Sequence, residues 1–394
     1  MHLICPHRCR RLLLAALMAG EAALGAASAA NVAADRVLYS FDLTTGRDPD
    51  LENPLATFNR QGRLSALYGT TSFGGEADRG VIFKLTRESG LQVIHSFGVA
   101  PGDGVVPYGT LIADDTGNLY GTTSSGYGGA VLYKLAPDGS ETILHTFTGR
   151  DGDGAAPYTG VVMDRKHDLY GSTFSGGRTN QGTLFRFTAG GVYSVIYTFN
   201  IPGRYPAAGP LGIVVDDHDT IYGVSEGGRT DWGLVYRLDG EAFEPLHQFT
   251  YDEDGGSPGL GLLMDSEGNL YGTTQFGGPY GGGGIFKLTK AGVFSILYWF
   301  KGQPDGADPD CQLIADSNGV LYGATRYGGI ANAGTVFSLA PSGEERILHS
   351  FRPRVGDGAN PTGGLAMDHS GHFYGTTNSG GAYNYGTVFE VTPR

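Results

Sequence analysis

The chain has 394 residues, 67 of them glycine, and carries 40 acidic against 27 basic side chains for a net charge of −13. That balance excludes nucleic acid and anionic lipid as partners, because both are bound through basic groups that displace counterions. Only Cys311 lies beyond the amino-terminal segment, which excludes an internal disulfide. Stability must then come from a core, which a chain of this length is able to bury.

Arg8, Arg10 and Arg11 precede a short apolar run over 12–20. Small residues follow, with cleavage expected near Ala27-Ser28-Ala29 or Val32-Ala33-Ala34. This layout reads as a secretory signal peptide over residues 1–34, its apolar part too short for a membrane span. Nothing later has the pattern of a transmembrane helix. Residues 35–394 are therefore expected as an exported, soluble, monomeric single domain with no membrane insertion and no nucleic-acid partner.

The mature segment opens on Val37-Leu38-Tyr39-Ser40-Phe41, a strand pattern. A unit of about fifty residues then recurs along the chain. Its clearest mark is Leu-Tyr-Gly or a close variant, with tyrosines at 68, 120, 170, 222, 271, 322 and 374. Each unit holds four predicted strands. The first runs from proline to aspartate (107–114, 157–164, 258–265, 309–316, 361–368) around an apolar stretch such as Leu262-Leu263-Met264, as for a strand buried on both faces. A tight turn leads to the second, Leu-Tyr-Gly-Thr-Thr, and a glycine-rich loop to the third, Gly-Thr-Val-Phe-like, with large side chains at alternate positions. The fourth is Leu-His-x-Phe-like.

Four short strands per repeat and no sustained helical periodicity predict an all-β, seven-bladed propeller of four antiparallel strands per blade. An outer-membrane barrel would need longer strands with a continuous lipid-facing band. The chain ends on a third strand at Val391, while residues 38–41 are a fourth strand without a blade before them. The N-terminal strand is thus expected to complete the last blade, which removes an unpaired edge at the seam.

The unit as a whole, Leu-Tyr-Gly-Thr-Thr, Gly-Gly, Gly-Thr-Val-Phe-x-Leu, Leu-His-x-Phe and Asp-Gly-x-x-Pro, resembles the GloVer tandem repeat of exported bacterial proteins. The resemblance covers nearly all of residues 35–394. It implies an exported β-propeller, and it implies no defined activity and no catalytic residues. Many members carry a C-terminal surface anchor, whereas a freely exported protein without one is expected here.

Strand order puts the loops after strand two and the links after strand four on one face, where the copies differ most and where recognition is expected. The loops carry Tyr127, Arg178, Arg229, Trp232, Tyr280, Tyr383 and Tyr385, a set suited to a glycan or an extracellular protein. The links are acidic, with Asp151, Asp153, Asp252, Asp254, Asp305 and Asp308 as calcium candidates. Calcium, however, wants six to eight oxygens, and Asp-Gly also makes a turn by itself. No other cofactor is expected.

His95, His145, His247 and His349 share one register of strand four with Tyr39, Tyr197 and Tyr298, one per blade, and read as packing residues that cannot meet at a metal. Cys311 reads as a small filler, and its acidic neighbours Asp308 and Asp310 oppose a reactive thiolate. No nucleophile elbow, phosphate loop or Cys/His cluster is present in the sequence. The first functional reading is an exported, non-catalytic propeller that binds a carbohydrate or protein. The alternative is a propeller-type glycoside hydrolase, lyase or lactonase using acidic residues at the channel mouth, which carboxylates converging there with perturbed pKa values would favour. A purely structural spacer is the third.

Overall fold

Each repeat folds into one sheet because its strands are short, alternate in burial and are joined by turns that glycine and aspartate stabilise. The computed structural model describes residues 35–49, 55–58, 62–124, 129–200, 209–353 and 356–393, which contain no α-helix. Residues 1–34, the expected signal peptide, lie outside the described residues. Blade 2 shows the plan: Pro107–Ala113, Leu119–Thr123, Ala130–Leu135 and Glu141–Phe147 pair antiparallel in sequence order.

The seven blades close into a ring. Arg36–Ser40 pairs with Thr387–Val391, so the last sheet runs from the N-terminal strand through Thr387–Val391 and Phe373–Thr377 to Ala366–Met367. Seven hydrophobic clusters each join two adjacent blades, and one of them unites Phe41, Tyr374 and Val388 of blade 7 with Leu67 and Phe83 of blade 1. The unit of stability is thus the interface between blades.

Two repeated motifs find their reason there. The strand-four phenylalanine of each blade meets the strand-three aromatic of the next, as in Phe41–Phe83 at 5.2 Å, Phe249–Phe286 at 5.4 Å and Phe351–Phe389 at 5.1 Å between ring centroids. The glycine of Leu-Tyr-Gly leaves room for that aromatic: a Cβ on Gly69, Gly171, Gly272 or Gly375 would stand 2.4–2.6 Å from its ring tip. The tyrosine beside it donates to the aspartate that ends strand one, Tyr120 to Asp114 at 2.9 Å and Tyr271 to Asp265 at 3.1 Å. Burial works against the Asp114 carboxylate, but hydrogen bonds from Asn118, Thr116 and Tyr120 outweigh it and hold its pKa far down.

Strand one departs from expectation. It is a full strand in Pro107–Ala113 and Pro210–Val215, each broken by a bulge, but only two residues in Val162–Met163, Ile314–Ala315 and Ala366–Met367. The inner strands crowd the ring centre, where Gly212 donates to the Leu260 carbonyl of the next blade at 2.9 Å. That bond falls inside the break in register between Pro210 and Ile213. Burial in Pro107–Ala113 alternates instead of covering both faces. The residual channel is a cavity of about 210 Å³ lined by small and apolar side chains such as Thr110, Val161, Ile213 and Leu260, with Gln312 the largest polar group.

Candidate functional site

The rim of the channel is set by a backbone device. The residue before each strand-one proline, namely Asp48, Val106, Ala156, Gly209, Ser257, Asp308 and Asn360, has φ between +50° and +57°. Such a conformation is unusual for any residue but glycine, and at the β-branched Val106 it is a strained one. Hydrogen bonds hold it on both sides. Asp308 donates its N–H to the Gly282 carbonyl of the preceding blade at 3.0 Å, and its own carbonyl accepts from Arg326 N–H at 2.9 Å. The link also pairs with the loop after strand two, as in Gly154 with Gly176 and Gly306 with Gly328, so both kinds of loop stand on one face.

This geometry brings two registers to the mouth: the residues flanking the proline, and the residue four after the repeated tyrosine. Blades 4 to 6 fill them with Glu226, Gln275, Asp308, Asp310 and Arg326. Gln275 donates to Asp310 Oδ1 at 2.9 Å. Burial, with the neighbouring charge of Asp308 and that of Glu226 adding to it against Arg326, pushes the Asp310 carboxyl up to about 7. Asp308, 7% exposed, is also raised by burial against the opposing pull of Arg326. Water reaches Glu226, yet the protein walls around it raise its carboxyl as well. Asp308 Oδ1 and Arg326 Nε are buried with no hydrogen-bond partner.

Blades 2 and 3 fill the same registers with aromatics. Tyr108 and Tyr158 meet edge to face at 5.6 Å, and Tyr158 meets Phe174 at 5.3 Å. Tyr158 remains 39% exposed. One arc of the mouth is therefore acidic and hydrogen-bonding, the other aromatic. Sequence reasoning missed most of these residues because it looked to the loop tips. The signal was nonetheless present: the fourth position after the tyrosine reads Ser72, Ser124, Phe174, Glu226, Gln275, Arg326 and Asn378, varying in all but one pair of repeats while the Tyr-Gly pair before it never changes.

The residues expected in the loops do not gather. Arg178 belongs to blade 3, Arg229 and Trp232 to blade 4, Tyr280 to blade 5, and Tyr383 and Tyr385 to blade 7. Trp232 packs on Tyr251 at 4.2 Å, while Tyr280 and Tyr383 are exposed and Tyr385 packs against the cluster at the seam. Arg178 and Arg229 are exposed. Tyr127 lies outside the described residues.

The link aspartates are drawn into a rim belt. Asp153, Asp254 and Asp305 accept from the backbone N–H of Thr148, Thr250 and Lys301 at 2.8, 2.7 and 3.0 Å. The same carboxylates face the strand-four ring of their own blade: His145 at 3.2 Å, His247 at 3.0 Å and Tyr298 at 2.9 Å. A bulge one residue before that ring turns it toward the link. Asp151 and Asp252 are exposed, and Asp308 belongs to the mouth. Among the described residues, three acid or histidine side chains come within ligating range of one another at His95, Asp103 and Glu141, a set containing none of the six calcium candidates.

Cys311 is fully buried between blades 5 and 6, and burial pushes its thiol up to about 12. A concavity of about 800 Å³ opens at the outer seam beside Asp35, His349 and Asp357.

Comparison with known proteins fits this architecture. The sequence model of the Gloeobacter/Verrucomicrobia repeat matches residues 28–212 and 202–389. No curated protein matches the chain. Among solved structures, a catalytically inactive virginiamycin B lyase from Staphylococcus aureus with quinupristin superposes with a TM-score of 0.59 at 12% identity, over 91% of this chain and 98% of that one. The extracellular domain of a protein described as a hybrid two component system from B. thetaiotaomicron gives a TM-score of 0.60 at 10% identity, over 91% of this chain and 39% of that one. A protein described as a 6-phosphogluconolactonase from Bacteroides uniformis gives 0.51 at 17% identity, over 79% and 88%. At these identities the likeness is one of fold.

Proposed function

The chain belongs to the Gloeobacter/Verrucomicrobia repeat family, and on that premise we propose that it is an exported binding protein whose channel mouth takes a saccharide. The observation that carries this reading is the two buried, unpartnered atoms Asp308 Oδ1 and Arg326 Nε, one acceptor and one donor, on residues whose backbones are joined at the mouth by the bond from Arg326 N–H to the Asp308 carbonyl. Buried polar groups are otherwise nearly always paired, so these two invite a ligand with vicinal hydroxyls. The aromatic arc of Tyr108, Tyr158 and Phe174 offers the apolar faces on which a sugar ring stacks. Export rests on the pattern of residues 1–34.

The test is a glycan array on the purified protein followed by calorimetry with the best saccharide. Asp308→Asn and Tyr158→Ala are each expected to weaken binding at least about tenfold, as the loss of one charged or aromatic anchor does. Full retention of affinity in both variants would refute this location for the site.

One observation favours a second reading, acid–base catalysis on a polysaccharide or sugar lactone. Asp310, raised to about 7 beside Asp308 and Glu226, is poised to exchange a proton near neutral pH. Turnover of the bound saccharide that is lost in Asp310→Asn, with binding retained, would establish catalysis over binding alone.

A further inference from the structure

Around the outer rim, the residue four before each strand-four His or Tyr faces the ring of the preceding blade. At three junctions this is an aromatic stack: Tyr193 on His145 at 3.5 Å, Phe243 on Tyr197 at 5.0 Å and Phe294 on His247 at 3.6 Å. At two junctions a carboxylate meets an imidazole, and the two differ in which nitrogen it meets. At His349, Asp357 takes Nε2 at 2.9 Å and Asp35 takes Nδ1 at 2.8 Å, on opposite sides of the ring. At His95 both acids converge on Nε2, with Asp103 Oδ1 at 3.5 Å and Glu141 Oε1 at 3.8 Å.

These three atoms lie within 4.8 Å of one another. All three are sealed from solvent, and none makes a hydrogen bond. The Asp103 side chain is only 2% exposed. Three unpartnered atoms around one point are a marked exception to the pairing of buried polar groups. The two distances from Nε2, 3.5 and 3.8 Å, are close to the edges of a coordination tetrahedron: ligands about 2.0–2.2 Å from a central ion stand roughly 3.3–3.6 Å apart.

We propose that His95, Asp103 and Glu141 form a site for a divalent transition metal, with zinc the ion their one-nitrogen, two-oxygen set fits and water completing the tetrahedron. Two carboxylates balance the charge of the ion, and a neutral imidazole supplies the borderline-soft donor that calcium does not seek. The ligands are held in place. Asp103 Oδ2 accepts from Val99 N–H at 3.3 Å, and the His95 ring packs edge to face on Phe97 at 4.6 Å. His95 and Asp103 belong to blade 1 and Glu141 to blade 2, so the ion ties two blades together across their interface. The Glu141 carboxylate distinguishes this junction from those of His145 and His247, where Tyr193 or Phe294 fills the space with a ring.

The test uses the untagged full-length chain, stripped with a chelator and titrated with Zn²⁺. One ion per chain and a rise in melting temperature are expected. Cobalt in place of zinc should give the intense visible absorption of four-coordinate geometry, a readout that needs no variant. Glu141→Gln, nearly isosteric, should weaken zinc binding at least about tenfold, no less than the loss of an outer-shell partner does. Glu345→Gln, at a rim junction built around Tyr298, should leave it unchanged. Binding of less than one ion, a six-coordinate cobalt spectrum, or equal affinity in Glu141→Gln would overturn the proposal.

Discussion

The seam where the ring closes carries a charge clamp whose removal has a calculable pH signature. His349 of blade 6 lies between Asp357 of its own link and Asp35 at the start of the N-terminal strand, and its side chain is 17% exposed. Burial alone would lower the imidazole pKa, but the hydrogen bonds and charges of Asp35 and Asp357 outweigh it and raise it to about 9. Against an ordinary value near 6.5, at ~1.4 kcal/mol per pH unit, this corresponds to about 3 kcal/mol favouring the folded, protonated state.

Because the folded value is the higher one, the folded protein holds more protons than the unfolded chain between the two values. The contribution is complete below pH ~6.5 and is lost as pH rises through ~9. Asp35→Asn keeps the shape and the capacity to accept from Thr392 N–H at 3.2 Å, but removes one of the two charges. It should cost about 1–2 kcal/mol at pH 6, roughly half of the clamp, and little at pH 10, where His349 is neutral in both proteins. Urea midpoints at pH 6, 7.5 and 10 measure this directly. An equal loss at pH 6 and pH 10 would show that the charge of His349 does not hold the seam.

Two further substitutions probe the packing rules. Gly272→Ala puts a Cβ 2.5 Å from Phe286 Cζ, so overpacking should cost about 1–3 kcal/mol, and Phe286→Leu in the same chain should recover part of it. Additive losses in the double variant would contradict the account of Leu-Tyr-Gly. Phe41→Ala empties a fully buried site that meets Phe83 across the closing interface, and a loss of about 3–5 kcal/mol in denaturant titration is expected. A loss typical of a frayed terminus, under about 1 kcal/mol, would mean that the N-terminal strand does not hold the ring shut.

Blade number, strand count and the closing strand were legible in the sequence because each depends on local pattern repeated seven times. Leu-Tyr-Gly recurs since every interface poses the same packing problem, and the orphan fourth strand at residues 38–41 is visible by counting alone. The strand-four bulge was not legible. It leaves no residue type as a mark, yet it decides that His145 and His247 turn toward their link aspartates. Nor could spacing show that Glu226, Gln275 and Asp310, from three blades, share one mouth.

The histidines show the same division most clearly. From sequence, His95 and His349 are the same residue in the same register, each with an acid four residues before the equivalent position of the next blade. Only the folded ring shows that the acids clamp His349 from two sides but converge on one nitrogen of His95. The repeat determines the scaffold, because backbone pairing and interface packing are periodic. The tertiary structure decides the sites, because they form where side chains from different repeats meet, at distances that no periodicity encodes.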